Sequence, residues 1–566
     1  MIQCEKTKEV TDMNVAICCL SAKYIHASLA PWCLYTSLKE KYPEINATVI
    51  ESTINKELSE TADGILATSP DVISFTCYIW NIDKTLKLCE MIREKSDSKI
   101  ILGGPEVSYR AKDVLSNHQY VDYIVSGEGE EIFPELIYKL YNSSDISDIP
   151  SLSYRYGDEI IYHPEKEHEG TPPSPYCDEF FQNLKGRISY IETSRGCPYR
   201  CAFCLSGRGS ELRFFDINQV KLDIIRLSNS GTKTIKFVDR TFNASESRAN
   251  EIISFILDNY GENIPENICF HFEIAGDILK KSTLELLKKA PDGLFQLEIG
   301  MQSFNEDTLK AINRKTNTDK LIENIKLLKS FGNMHIHIDL IVGLTGEDFE
   351  SFKRSFNTGY NLKADMLQMG FLKLLHGSDM REYPEKFPCE FRQEPPYEVT
   401  STPWLTNEEI TALKNCEDAL DRLYNSGRFL MSLDYLISEC KMSPFDVFFG
   451  FGNMINGCKM TLSQYAEHFY SYFKEYSDPV LLQEHLLCDL LCCSSSLQIP
   501  DSLRPKHPLY RQARHRLADG SSDKIKVAVL PSLNKIIEVN QSKPKSFNGR
   551  YPYKFHSIDI IKAPAE

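Results

Sequence analysis

The stretch RISYIETSRGCPYRCAFC, residues 187–204, decides the fold because it leads from a β-strand directly into a loop with three cysteines. Its first half alternates apolar and polar side chains, as half-buried strands do. The loop that follows holds Cys197, Cys201 and Cys204 beside glycine and proline. Thiolates are the usual protein ligands of iron–sulfur clusters, and three of them leave one iron of a four-iron cluster open to a small molecule. By ligand type alone, a zinc site or three incidental thiols remain alternatives.

The chain continues from this loop as a series of strand–helix units. Five further apolar runs follow, most of them ahead of a segment with helical periodicity: TIKFVDRTF, NICFHFEIA, LFQLEIGMQ, HIHIDLIVGL and MLQMGFLKLL. Six units predict a partial (β/α)6 barrel over residues 187–400, because a closed barrel of this kind has eight.

Upstream of the barrel, residues 13–140 repeat a βαβ rhythm. The apolar runs NVAICCLS, ATVIES, DVISFTCYIW, KIILGG and VDYIVSGEG alternate with amphipathic segments. That alternation predicts an α/β domain with a doubly wound parallel sheet of the flavodoxin-like kind. Ligands of such sheets bind beyond the carboxyl ends of the strands, so we expect a ligand-binding domain, with a plain scaffold sheet as the alternative.

The remaining regions carry weaker signals. Residues 141–186 are rich in Pro, Asp, Ser and Glu and predict an interdomain linker that contains a small hairpin. Residues 401–566 predict a mainly helical domain with terminal strands. Within it, HLLCDLLCC places His485, Cys488 and Cys492 on one helix face, where a packed helix with buried thiols is favoured over a metal site. The aromatic FDVFFGFGNMINGC segment predicts core or a substrate-facing wall.

Composition bounds the function class and the compartment. The 566 residues predict two to four domains, and 42% hydrophobic with 25% charged residues is ordinary for a folded protein. The formal charge of −15 disfavours nonspecific binding to nucleic acid or anionic lipid. The segment MIQCEKTKEVTDMN has no apolar core of signal-peptide length, and no apolar stretch of the sequence is long enough to span a membrane. We therefore expect a cytoplasmic protein with mostly reduced thiols.

The cysteine loop resembles the CxxxCxxC signature of the radical S-adenosylmethionine (SAM) superfamily, down to the aromatic Phe203 before the last cysteine. The resemblance implies a [4Fe-4S] cluster on the three cysteines, with S-adenosylmethionine on the open iron, cleaved by one electron to a 5′-deoxyadenosyl radical. It also implies that further barrel residues contact S-adenosylmethionine, whereas Glu298 is an inner-face residue with a possible structural role. These implied cofactor contacts are Gln302, Ser303 and Arg314 in LEIGMQSFNEDTLKAINR, Glu273 in FHFEIAG and Asp339 in IDLIVGL. The alternative for each is a polar residue that caps a strand or braces a helix.

The N-terminal sheet and the second barrel strand resemble the cobalamin-binding branch of that superfamily. In FVDRTFN, Asp239 and Asn243 stand where many relatives carry a glycine-rich motif, and they resemble this branch instead. The resemblance implies that cobalamin lies at the strand ends, against Ser74, Thr76, Gly103, Gly104, Gly127 and Glu128. The Asp-x-His-x-x-Gly motif of cobalt-ligating domains is missing, and His26 in SAKYIHASLAPW is the candidate cobalt ligand in its place.

Together these features predict a cobalamin-dependent radical SAM enzyme that methylates an unactivated carbon of a small molecule or peptide. The alternatives are a radical SAM cyclase or rearrangement enzyme without methyl transfer, and a noncatalytic iron–sulfur or cobalamin-binding sensor. Methylthiotransfer is disfavoured because the N-terminal sheet lacks a second three-cysteine site. We expect an electron donor such as flavodoxin or ferredoxin and neither a membrane nor a nucleic-acid partner. No catalytic residue is assigned.

Overall fold

The structure is a computed structural model that describes residues 13–184, 186–208, 211–494, 499–504, 507–518, 521–546 and 549–561. The first twelve residues, where we predict no signal peptide, lie outside the described residues. The chain divides into two compact units. The first unit comprises residues 1–297, 312–315 and 373–399, and the second comprises residues 298–311, 316–372 and 400–566.

The first unit begins with a seven-stranded sheet in the order β2-β1-β3-β4-β5-β6-β7. Strands β1 to β5 are mutually parallel, and their helices cover both faces, as in a doubly wound fold. The strands are β1 (Asn14–Ser21), β2 (Asn46–Thr53), β3 (Val72–Thr76), β4 (Lys99–Gly103), β5 (Tyr123–Val125), β6 (Leu152–Tyr156) and β7 (Glu159–Tyr162). The helices are α1 (Ala30–Lys41), α2 (Leu58–Leu66), α3 (Ile82–Arg93), α4 (Pro105–Ser108), α5 (Ala111–Asn117) and α6 (Gly129–Tyr141).

Strands β6 and β7 form the hairpin that we predict, but its place differs from the prediction. β6 pairs antiparallel with β5, so the hairpin extends the first sheet and is not part of a free linker. The reason is burial, because Leu152 and Tyr154 join the core on one face of the sheet. Local composition does not show such a long-range contact.

The first unit also contains the cysteine loop and the strands around it. Strand β11 lies between β8 and β12 and is parallel to both, which matches the start of the predicted barrel. Two short strands absent from the prediction, β9 and β10, pair antiparallel and close the base of the cysteine loop. The elements are α7 (Asp178–Leu184), β8 (Ser189–Ile191), β9 (Ser194–Arg195), β10 (Arg213–Phe214), α8 (Ile217–Ser228), β11 (Thr234–Phe237), α9 (Glu246–Asn259), β12 (Cys269–Ile274) and α10 (Lys281–Lys288).

The second unit begins inside the next strand, β13, where the boundary between the units falls. Strand β14 follows β13 in the sheet and pairs in parallel with β15, so the chain contains all six predicted barrel strands. The elements are β13 (Phe295–Gln302), α11 (Glu306–Ala311), α12 (Thr318–Phe331), β14 (His335–Val342), α13 (Phe349–Asn361) and β15 (Met366–Phe371). Residues 373–399 belong to the first unit and contain α14 (Asp379–Glu382) and β16 (Glu390–Phe391), and β17 (Val399–Ser401) begins at the boundary.

The C-terminal part of the second unit is mainly helical, as predicted, and ends in a three-stranded antiparallel sheet whose third strand we did not predict. Cys488 and Cys492 are buried in α19, which confirms the packed helix. Most of the predicted aromatic segment forms α17, and three of its phenylalanines, Phe445, Phe448 and Phe451, are buried. The elements are α15 (Asn407–Leu420), α16 (Leu430–Asp434), α17 (Pro444–Ile455), α18 (Leu462–Phe473), α19 (Pro479–Cys493), α20 (Tyr510–Leu517), β18 (Ile525–Leu530), β19 (Lys535–Asn540) and β20 (Tyr553–Ser557). Among the described residues, no helix is both long and apolar enough to cross a membrane.

Candidate functional site

The cysteine loop of the first unit holds its three sulfur atoms in different environments. Cys201 is buried, whereas Cys197 and Cys204 are partly exposed. The Sγ atom of Cys197 lies 3.4 Å from the Thr241 hydroxyl, and the Ser206 amide donates a hydrogen bond of 3.4 Å to Cys204 Sγ. Polar groups that face the sulfur atoms suit thiolates, which need hydrogen-bond donors. The donor set therefore fits an iron–sulfur cluster.

Arg314 reaches this loop from a distant part of the sequence. Its Nη1 donates to Cys201 Sγ at 3.6 Å, and its guanidinium lies 6.0 Å from the ring of Tyr199. Burial raises the pKa of the Cys201 thiol, and the positive charge of Arg314 opposes that rise. Arg314 can thus stabilise a thiolate at Cys201, and its contact with S-adenosylmethionine stays a prediction. Arg195, at the start of the same loop, instead pairs with three glutamates.

Asp239 and Asn243 brace the loops around the cysteines. Asp239 is buried and accepts from the backbone amide of Thr193 at 3.0 Å, from its hydroxyl at 2.6 Å and from the Ser194 hydroxyl. Asn243 donates to the Ala275 carbonyl at 2.8 Å and accepts from the Ala275 amide at 2.9 Å. Both side chains use their hydrogen-bonding groups within the protein. The geometry makes them positioning residues for the cysteine loop and for the end of β12, whereas direct contact with a cofactor stays a prediction.

A cavity of about 630 Å³ opens at the carboxyl ends of strands β1, β3, β4 and β5. It is wide enough for part of a large planar ligand and is lined mostly by backbone and apolar side chains. All seven residues that we assign to cobalamin from the sequence line this cavity: His26, Ser74, Thr76, Gly103, Gly104, Gly127 and Glu128. They were brought together because parallel strands end at the same edge of the sheet.

The cavity wall has features that a bound group would satisfy. The hydroxyls of Ser74 and Thr76 are buried and have no hydrogen-bond partner in the described part of the chain. Gly104 has a φ of +105°, and an added Cβ atom would lie 2.6 Å from the Cys77 carbonyl oxygen. Only glycine allows the backbone at this point of the cavity wall to lie this close to the backbone of Cys77. Unsatisfied hydroxyls beside a glycine cradle fit the polar edge of a corrin.

His26 lies in the loop after β1 and faces the cavity with a fixed ring. Its Nδ1 atom is 2.7 Å from the Tyr190 hydroxyl, and its backbone carbonyl accepts from Arg187. Burial, followed by the charges of Lys236 and Lys23, lowers the pKa of His26. A neutral imidazole with one nitrogen already oriented is the form that binds metals. Tyr190, which the sequence did not reveal, thus supplies an orienting group for His26.

In the second unit, Gln302 and Ser303 end strand β13. Gln302 has a φ of +71°, a left-handed conformation that costs a non-glycine residue about 1 kcal/mol and is common at functional sites. Ser303 is fully buried and donates to Glu347 Oε1 at 2.6 Å, and Ser355 donates to the same oxygen at 2.9 Å. Burial raises the pKa of Glu347 to about 7. The Ser303 hydroxyl is therefore engaged inside the fold, and its contact with a cofactor stays a prediction.

Asp339 belongs to a charged cluster on β13 and β14 that also includes Glu298 and His337. His337 Nε2 lies 2.9 Å from Asp339 Oδ1, and its Nδ1 lies 3.6 Å from Glu298 Oε2. The three groups could together coordinate a divalent ion. Burial favours neutral His337, but the close carboxylates of Asp339 and Glu298 outweigh it and raise the pKa of His337 to about 9. An imidazolium therefore bridges the two carboxylates at neutral pH, a role for His337 that the sequence did not reveal.

Glu273, predicted from the sequence to meet the cofactor's amino group, ends strand β12. Its side chain is 35% exposed and lies 4.0 Å from the Arg240 guanidinium. Arg240 itself lines the cavity of the first unit. The carboxylate of Glu273 is thus accessible to a ligand, and Arg240 is a further cation at this edge that the sequence analysis did not single out.

Three families match successive parts of the chain. Residues 16–137 match the B12 binding domain, residues 191–358 match the radical SAM superfamily, and residues 385–548 match a protein of unknown function, DUF4080. The first two matches span the cavity and the cysteine loop.

Among curated proteins, the chain is similar to 2-(S-pantetheinyl)-carbapenam-3-carboxylate methyltransferase of Streptantibioticus cattleyicolor, with 30% identity over 52% of this chain and 45% of the relative. It is also similar to the cobalamin-dependent radical SAM methyltransferase TokK of Streptomyces tokunonensis, with 29% identity over 52% of this chain and 45% of that one. The matched part is thus less than half the length of either relative. The solved structure of the cobalamin-dependent S-adenosylmethionine radical enzyme OxsB with aqua-cobalamin shares the fold, with a TM-score of 0.60, 15% identity and coverage of 85% of this chain and 80% of that one.

Proposed function

Because residues 16–137 match the B12 binding domain and residues 191–358 match the radical SAM superfamily, we propose that this chain reductively cleaves S-adenosylmethionine and methylates an unactivated carbon with the aid of cobalamin. One observation carries the proposal. The first unit holds both the three-cysteine loop with Arg314 and a cavity with unsatisfied hydroxyls at the strand ends of a doubly wound sheet. The similarity to two methyltransferases supports methyl transfer over the other radical reactions.

The residues of the first unit would each have a distinct role in holding the cofactors. When bound, the cluster and S-adenosylmethionine supply a 5′-deoxyadenosyl radical, and cobalamin supplies the methyl group. Cys197, Cys201 and Cys204 would hold the cluster, and the positive charge of Arg314 would favour the thiolate of Cys201. Asp239 holds the strand end that precedes the loop. Buried walls exclude water, which protects a radical from side reactions.

The remaining cofactor contacts predicted from the sequence belong to the same proposal. Gln302 and Asp339 would meet S-adenosylmethionine, with Ser303 acting through Glu347. Glu273 would meet the cationic amino group, because a carboxylate is a good acceptor for it. The domain boundaries proposed from the sequence, at residues 13–140, 141–186, 187–400 and 401–566, stay part of this proposal.

We further propose a cytoplasmic setting, a small-molecule or peptide substrate and a reduced flavodoxin or ferredoxin as electron donor. The net charge of −15 supports the absence of a nucleic-acid partner. A cyclase or rearrangement enzyme would use the same cofactors, and product mass separates the two reactions. Methyl transfer adds about 14 Da to the substrate, which cyclisation does not.

The test is anaerobic reconstitution of the full chain with iron, sulfide and hydroxocobalamin, followed by dithionite and S-adenosylmethionine. We expect 5′-deoxyadenosine and one corrin per chain, and loss of 5′-deoxyadenosine in Cys201→Ala. Cys458→Ala is the matched control, because Cys458 is an exposed thiol outside the loop. Unchanged 5′-deoxyadenosine formation in Cys201→Ala would refute the cluster assignment. Cleavage without bound corrin would refute the cobalamin assignment alone.

A further inference from the structure

Glu128 binds both ends of the cysteine loop from outside it. Strands β9 and β10 close the base of that loop, with Arg195 directly opposite Arg213. Arg195 Nη1 donates to Glu128 Oε2, and Arg213 Nη2 donates to the two oxygens of Glu128 at 3.0 and 2.7 Å. One carboxylate therefore clamps the residues that begin and end the loop.

The clamp is part of a larger buried ion network. Arg195 also donates to Glu130 and, through two bonds of 2.9 Å, to Glu192. The side chains of Glu128, Arg195 and Arg213 are 22%, 16% and 15% exposed. Charge-assisted bonds with several donors and acceptors hold a fixed geometry, and they are screened little when they are buried. The network therefore positions the base of the loop more firmly than exposed ion pairs would.

The same carboxylate belongs to the wall of the cofactor cavity. Glu128 follows strand β5 and begins helix α6, and it lines the cavity together with Gly127 and Gly129. Glu130, Glu192 and Arg195 also line it. A ligand that enters the cavity therefore meets the segment that holds the base of the cysteine loop.

We propose that Glu128 is a positioning residue that couples occupancy of the cavity to the cluster-binding loop, so that each cofactor tightens the binding of the other. The inference rests on the proposed function, because it takes a corrin as the occupant of the cavity. Coupling between two ligands is reciprocal, so it can be measured on either one. If the clamp only stabilised the fold, its loss would change the affinity for hydroxocobalamin equally with and without the cluster.

The experiment measures the affinity for hydroxocobalamin, by its absorbance change, on the full chain with the cluster reconstituted and after removal of the cluster. In the wild-type protein we expect binding about tenfold tighter when the cluster is present, within the usual range of coupling. In Glu128→Gln, which removes the charge and keeps the shape, this ratio should fall below about twofold. Glu251→Gln, which breaks the Lys221–Glu251 ion pair away from the cavity, should keep the wild-type ratio.

Each outcome decides a separate point. Equal affinity with and without the cluster in the wild type would overturn the coupling and leave the proposed function intact. A full ratio in Glu128→Gln would overturn the role of Glu128. A wild type that carries the cluster but binds no hydroxocobalamin would overturn the cobalamin function together with this inference. If Glu128→Gln does not fold, Arg213→Gln tests the same clamp, because Arg195 still binds Glu128; a reduced ratio supports the inference and a full ratio contradicts it.

Discussion

Because the pKa of His337 is raised, we predict that the stability of β14 depends on pH. Its pKa is about 9 in the folded protein, against ~6.5 in an unfolded chain. Each unit of pKa is worth about 1.4 kcal/mol, so binding of this proton favours the folded strand by roughly 3 kcal/mol. His337 is 7% exposed, and solvent screening reduces the value little. Because the folded pKa is raised, the stabilisation is complete below pH ~6.5 and is lost as the pH rises through about 9.

Hydrogen exchange of the peptide that covers β14 measures this free energy in wild type and in His337→Gln, after correction for the intrinsic exchange rate at each pH. The difference between the two proteins should shrink by roughly 3 kcal/mol between pH 6 and pH 10. His468→Gln, at an exposed histidine of α18, should leave exchange of β14 unchanged. A wild-type advantage of the same size at both pH values would refute the ion triad.

Three further substitutions test the loop, the cavity and the C-terminal core. Asp239→Asn weakens the brace of the cysteine loop, so less than half of the wild-type iron should remain after reconstitution and desalting, and full iron retention would contradict the role. Arg550→Met leaves Asp489 charged and buried, so urea denaturation should show a loss of about 3–5 kcal/mol, and a neutral effect would count against the pair. Gly104→Ala should weaken hydroxocobalamin binding at least tenfold, or unfold the loop, because the new Cβ atom would clash with the Cys77 carbonyl oxygen. Gly64→Ala is the control and should do neither, because no atom lies near the added Cβ.

The sheet positions could be predicted because buried parallel strands are continuous apolar runs between turns. All five strands predicted for the first sheet are present, the fold class is confirmed, and the two expected families match residues 16–137 and 191–358. The hairpin β6–β7 was predicted, but its pairing with β5 was not, because that pairing depends on packing against a remote strand and not on local composition. Strands β9 and β10 were missed because each has two residues and no periodicity to detect.

The candidate site was only partly accessible to sequence reasoning. The cysteines and the cavity residues follow strand ends, and strand ends can be read from local patterns. The partners that fix these residues come from remote segments: Glu347 lies 44 positions from Ser303, and Tyr190 lies 164 from His26. Such pairs have no local signal. The role of Asp239 could not be read from the sequence either. A buried aspartate that braces a loop and an aspartate that binds a ligand are the same residue type in the sequence.

The burial of most described thiols outside the cysteine loop has a consequence for competition between ligands. Cys18, Cys77 and Cys416 are buried, and burial raises the pKa of each thiol, so these sulfur atoms are protonated and shielded at neutral pH. Cys197 and Cys204 are partly open to solvent. Burial therefore reduces the number of sulfur atoms that can compete with the loop for added iron, whereas exposed thiols such as Cys458 can still compete.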